Sequence, residues 1–171
     1  LGRVRRDNNM DHPRRSLKFV PLKDLDQAKV SFEGFTVEDP AAEKLGKIEG
    51  FILDIERALP YYTVVDAGGW FRSKHILIPI GHFALDTESK RLVADVPKDR
   101  VKRFPGFELD LFPKLTQEDL NQMADEISRV CCPDLLVEPV EVLSIEVSTH
   151  YRTPAWWDAS FYTGQQPTEE Q

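Results

Sequence analysis

The sequence predicts a mainly β chain, α+β overall, in which one small antiparallel barrel carries a C-terminal helix and irregular N- and C-terminal extensions. Three observations carry this reading. Between residues 45 and 96, short strand-like segments follow one another with brief turns. No helical period separates them, which excludes the alternating strand and helix pattern of a parallel nucleotide-binding sheet. A single amphipathic helix follows over residues 116–131, and its apolar stripe must cover something, most simply an open face of the barrel.

The chain has 171 residues, enough for one domain with appendages or for a barrel plus a second small unit, but not for two large domains. Twelve prolines against nine glycines predict many rigid, irregular connections. Charges or prolines interrupt each apolar run well before the roughly 18 to 20 residues that a membrane-spanning helix needs. The first 18 residues also lack the apolar segment of a secretory signal, so the expected compartment is the cytoplasm, with peripheral association to an inner-membrane complex as an alternative. The first residue is Leu1, so the sequence reads as a fragment, a processed product, or a chain whose natural start is Met10.

Formal net charge is −7, but the charge is uneven. Arg3, Arg5, Arg6, Arg14, Arg15 and Lys18 face only Asp7 and Asp11 in the first 18 residues, which leaves the remaining body strongly acidic. An acidic body repels phosphate backbones, so any nucleic-acid contact is expected only through the five arginines of this basic leader. The expected divisions are a flexible leader over 1–18 and a barrel domain with its lead-in over 19–110, the barrel proper spanning about 41–107. A helix, a candidate strand and an aromatic tail then pack on the barrel over 111–163, before a disordered tail over 164–171.

Taken in order, residues 17–22 and 32–37 are short apolar pieces that read as a strand-like lead-in, and Asp39-Pro40 punctuates the chain after them. Residues 45–54 place Ile48, Gly50 and Ile52 on one face and Lys47, Glu49, Phe51 and Leu53 on the other, with Gly46 and Gly50 as sites where the strand bends. Residues 61–66 form a second strand, closed by the turn signal Ala67-Gly68-Gly69. Residues 75–80 form a third, with Pro79 marking an edge or a bulge. Residues 82–86 and 91–96 form a hairpin around an all-polar turn. Residues 97–104 read as a helical turn with Val101 and Phe104 inward, stopped by Pro105-Gly106. In the longer helix, Thr116 is the cap with Asp119 three residues on, and Leu120, Met123, Ala124, Ile127 and Cys131 repeat at helical spacing until Pro133. Residues 140–147 alternate as a late strand, and Trp156, Trp157, Phe161 and Tyr162 crowd the aromatic tail.

Residues 45–54, then Tyr62-Thr63-Val64-Val65-Asp66, Gly68-Gly69-Trp70, Ile78-Pro79-Ile80-Gly81-His82, Leu85-Asp86 and 101–105 together resemble the PRC-barrel family, named for the cytoplasmic domain of the photosynthetic reaction centre H subunit. The resemblance covers about residues 41–107, and its specificity lies in the order and spacing of the pieces. It implies a compact six-stranded antiparallel barrel that docks on other proteins and carries no catalytic residues. In the H subunit the barrel caps membrane-embedded subunits and its carboxylates help conduct protons towards a quinone; in the related ribosome maturation factor it contacts a ribosomal protein and RNA. Within these 171 residues neither the membrane helix of the first nor the extra N-terminal barrel of the second is expected. The tail resembles that of free-standing bacterial PRC-barrel proteins.

No enzyme is expected. Catalysis needs a nucleophile or a general acid and base within mutual reach, and His75 and His82, seven apart around an apolar strand, fall on opposite faces if the strand is regular. Asp54, Glu56 and Asp66 lie near strand ends and read as an acidic rim. Cys131 and Cys132 are adjacent, a spacing at which disulfides are strained, so they are expected as free thiols; no cofactor or metal is expected. The candidate partner-binding surface is Trp70, Phe71 and Arg72 after the turn glycines, with Trp156 and Trp157 in the tail, for a protein partner or a second copy of the chain. The expected function is a non-catalytic interaction or adaptor module. The alternatives are a soluble relative of the H subunit in light-reaction electron and proton transfer, and a ribosome- or RNA-associated factor.

Overall fold

The structure is a computed structural model that describes residues 17–68, 74–131 and 150–163. Trp70, Phe71 and Arg72, residues 1–16 of the basic leader with Arg3, Arg5, Arg6, Arg14 and Arg15, the late strand at 140–147 and the tail at 164–171 lie outside the described residues, whereas Leu17 and Lys18, expected in the leader, begin a strand. Among the described residues seven strands form one sheet: β1 (Leu17–Pro21), β2 (Thr36–Glu38), β3 (Lys44–Asp54), β4 (Leu59–Asp66), β5 (His75–Pro79), β6 (Phe83–Asp86) and β7 (Arg91–Ala94). Among the described residues two α-helices are complete, α1 (Lys98–Val101) and α2 (Gln117–Cys131). Among the described residues no helix is long and apolar enough to cross a membrane.

β3 organises the sheet. One of its edges pairs with β4 from Lys47↔Asp66 to Asp54↔Leu59, with register shifts at Ile48/Gly50 and Ile52/Leu53. Its other edge is shared: β2 takes the first part through Thr36↔Lys47 and Val37↔Gly46, and β1 takes the second, from Pro21↔Gly50 to Leu17↔Asp54. Irregular register bends and twists a strand, and the two glycines sit where the bent strand meets its neighbours. A Cβ on Gly46 would lie 2.2 Å from the carbonyl oxygen of Asp66, and one on Gly50 would lie 2.3 Å from that of Val20. Only a residue without a Cβ admits both approaches.

The path runs β5-β4-β3-β2-β7-β6, and among the described residues no ladder joins β5 to β6, so hydrogen bonds do not close the sheet into the expected barrel. Pro79 has no N–H to offer, and the 3-10 turn Ile80–His82 interrupts the extended backbone between the two strands. The all-antiparallel expectation also fails at one place, because β2 and β7 run parallel, Thr36 opposite Arg91 and Glu38 opposite Val93. The chain leaves β2, builds β3 to β6, and returns as β7 on the far side of β2. Arg91 ties the seam, its guanidinium donating to Glu38 at 3.0 Å and to Asp86 at 3.1 Å.

Burial follows from these pairings. In the first half of β3 Leu45 and Ile48 are buried and Lys44 and Lys47 exposed, and every residue from Gly50 to Asp54 is buried. The second face is covered by residues 150–163: the Trp157 ring meets Phe51 edge-on at 5.2 Å, and Trp156 packs on Phe32 and Phe51. The helix signals close as expected. Thr116 and Asp119 form a reciprocal cap, each backbone N–H donating to the other's side-chain oxygen at 3.0 Å. Leu120, Ile127 and Cys131 supply the buried stripe of α2, and Val101 and Phe104 are buried beside it.

Candidate functional site

The polar groups that the fold brings together gather where β5 ends. Pro79 stops the strand, the following 3-10 turn swings His82 inward, and the His82 carbonyl accepts the Asp95 N–H at 2.9 Å just after β7. That backbone link sets the Asp95 carboxylate against the ring, and His82 Nδ1 donates to Asp95 Oδ1 at 2.8 Å. The opposite ring nitrogen, Nε2, lies 2.9 Å from Nδ1 of His150, at the start of the returning segment. Both rings are buried, His150 at 2% exposure. Burial, reinforced by the neighbouring His82, lowers the His150 pKa to about 4, with Asp95 pulling weakly the other way. Near neutrality His150 is uncharged, so a single proton joins the two imidazoles. Cys131, the last residue of α2, completes the group, and one nitrogen of each histidine and its Sγ lie within 4.8 Å of one another. The chain of carboxylate and two imidazoles offers a place to hold a proton, with the Cys131 sulfur beside it.

Next to it, the hydroxyls of Tyr62 and Tyr151 share a hydrogen bond of 2.9 Å, and the rings of His150 and Tyr151 lie 6.2 Å apart. Desolvation pushes both hydroxyl pKa values above the ordinary tyrosine value. The tail tryptophans, expected on a partner surface, are committed to the chain itself. Trp157 is buried and donates its ring N–H to Ala58 at 2.8 Å; Trp156 is half-buried and donates to Phe83 at 3.1 Å.

The three acids of the expected rim do not share a site. Asp54 is buried, accepting from the backbone N–H of Glu56 at 3.0 Å and pairing with Arg57, so it holds the β3–β4 turn. Glu56 is exposed on that turn. Asp66 stands at the other end of β4, about 23 Å away at the usual rise per strand residue, where it meets His75 and Glu49 across the ladders within 4.8 Å. His75 and His82 are likewise apart, because the strand between them ends at Pro79. The expectation of free thiols is corrected at Cys131, which is disulfide-bonded; the only other cysteine, Cys132, lies outside the described residues. Sequence reasoning missed Asp95 and His150 altogether. Positions 82, 95, 131 and 150 have no motif spacing, and only the buried stripe of α2 pointed Cys131 inward.

Residues 29–101 match the PRC-barrel domain family. This segment is a PRC-barrel domain. It contains β2 to β7 and the turn that carries His82, whereas β1, α2 and the returning residues 150–163 lie outside the match. An uncharacterized protein of Deinococcus radiodurans is 32% identical over 68 residues, 40% of this chain and 24% of that protein. The chain therefore matches about a quarter of that relative's length, and the shared part is no longer than the PRC-barrel domain itself.

Proposed function

We propose that this chain is a non-catalytic interaction module, a PRC-barrel domain on which a protein partner or a second copy of the chain docks. The observation that carries the reading is the match of residues 29–101 to a family whose barrels, by the resemblance described above, dock on other proteins. The fate of the buried carboxylates supports it. Asp39 accepts from the backbone N–H of Ala41, Glu43 and Lys98, at 2.9, 2.9 and 3.0 Å, and Asp54 caps the β3–β4 turn. Both are spent on holding loops.

Trp70 remains the residue to test, since Trp156 and Trp157 are packed within the chain. Affinity purification of the full chain, with chemical cross-linking and mass spectrometry, identifies the partner or the dimer. Trp70→Ala is expected to lower its recovery about tenfold, the loss of one well-packed aromatic anchor, with the thermal midpoint unchanged. Equal recovery from a folded Trp70→Ala chain removes that surface from the proposal.

A further inference from the structure

We propose that His82, His150 and Cys131 form a binding site for a zinc-like transition-metal ion, open when Cys131 is a thiol and closed when it is in a disulfide. The atoms are already close to a coordination shell. A tetrahedral zinc ion with two imidazoles and a thiolate places its nitrogens about 3.3 Å apart and each nitrogen about 3.6 Å from sulfur. Here the facing nitrogens are 2.9 Å apart, and the sulfur lies within 4.8 Å of one nitrogen of each histidine. Shifts of about an ångström complete the set.

The surroundings orient the ligands. Asp95 accepts from His82 Nδ1, which turns Nε2 towards His150; a carboxylate behind a metal-binding histidine fixes its tautomer in this way. Cys131 is held by the Arg100 guanidinium, which donates to its carbonyl at 3.0 Å, and His82 is held by the Asp95 N–H on its own carbonyl at 2.9 Å. The ligands thus come from separately anchored elements, as a preorganised site requires. Donor chemistry selects the ion: two nitrogens and a sulfur suit zinc, cobalt or copper(I), whereas magnesium and calcium demand oxygen ligands. Asp95, with its side chain 69% exposed, marks the side from which solvent reaches the pair and a water fills the fourth position.

The disulfide provides the gate. A dithiol reductant gives two electrons to the S–S bond and leaves as its own disulfide, and each protein sulfur takes one proton. The ion then displaces the proton of the Cys131 thiol, which goes to solvent. His150 moves its proton from Nδ1 to Nε2, so that Nδ1 binds. Cys131 sits at a helix C-terminus, where the dipole disfavours a thiolate. The metal is what makes the thiolate stable there.

Cobalt(II) is the probe, added to the full chain with and without prior reduction. The reduced chain is expected to take up one equivalent, with thiolate-to-cobalt charge-transfer absorption and tetrahedral ligand-field bands, all displaced by zinc; the oxidised chain shows none. Cys131→Ser abolishes the charge-transfer band, and His150→Gln weakens binding at least tenfold. Asp95→Asn weakens it by about 10- to 100-fold while keeping the band. Cys132→Ser binds without reductant. Circular dichroism verifies that each variant is folded, and the comparison of oxidised with reduced wild type needs no variant. No charge-transfer band in the reduced chain, an equal band in the oxidised chain, or a band that survives in Cys131→Ser overturns the proposal.

Discussion

Gly50→Ala tests the account of the bent strand. The added Cβ would stand 2.3 Å from the Val20 carbonyl oxygen, 2.9 Å from Phe19 Cε1 and 2.9 Å from Pro21 Cα. Carbon and oxygen meet without repulsion at about 3.3 Å, so β1 must retreat by about 1 Å. All three close neighbours belong to β1, two of them at its backbone, so no rotamer change relieves the clash. A ladder hydrogen bond stretched by that amount is broken, at about 1 kcal/mol, and overpacking a filled core costs about 1–3 kcal/mol more. The expected loss is about 3 kcal/mol, which for a chain of this size lowers the thermal midpoint by about 6–12 °C. Urea denaturation followed by circular dichroism measures it, and hydrogen exchange should show protection lost first in β1. Gly106→Ala is the control, because a Cβ there meets nothing within 4 Å. If Gly50→Ala is as stable as Gly106→Ala, β1 does not pack on β3 as described.

Burial works against ionisation of Asp39, but the N–H groups of Glu43, Lys98 and Ala41 outweigh it, and its pKa lies below the ordinary value. A depressed carboxyl pKa adds stability above the unfolded-state pKa, and that stability is lost as pH falls through the folded one; Asp39→Ala should cost about 2 kcal/mol at pH 7 and flatten the acid limb of a stability-versus-pH curve. The raised pKa values of Tyr62 and Tyr151 have the opposite sign, contributing stability that is present below about pH 10 and lost as pH rises. Ultraviolet titration should show two tyrosines that ionise only with unfolding, and Tyr151→Phe should leave one; a full complement of normal tyrosines would refute this. The Thr63 hydroxyl is buried without a hydrogen-bond partner, so Thr63→Val should be neutral or stabilise by about 1 kcal/mol in chemical denaturation, and a loss beyond that amount would show that the hydroxyl is engaged.

Local rules made much of the sheet legible. Alternation marked β3, polar turns marked the β6–β7 hairpin, and Thr116 with Asp119 marked the start of α2, because each signal is complete within a few residues. What was not legible depends on distant pairing. The parallel contact of Thr36 with Arg91 joins residues whose separation no periodicity encodes. Asp54 reads as a surface acid beside Glu56, yet it is buried because the β3–β4 turn folds its own N–H groups onto it. The site suffered most: His82 and His150 are 68 residues apart, and their contact exists only after β5 ends and the final segment returns.

The family match marks a segment smaller than the unit that packs. Within 29–101, the Phe51 ring would keep Phe32 but lose both tryptophans, and the far part of β3 would have one unpaired edge. Both deficits are met from outside: β1 takes the edge from Gly50 to Asp54, and Trp157 and Trp156 cover Phe51. The two ends are also joined to each other, the Asp26 N–H donating to the Phe161 carbonyl at 2.7 Å. Covering β3 therefore orders residues 150–163, and ordering them brings His150 to His82 and Tyr151 to Tyr62. The core and the polar cluster are consequences of one docking event, and a change that loosens the tryptophans should release the histidine pair as well.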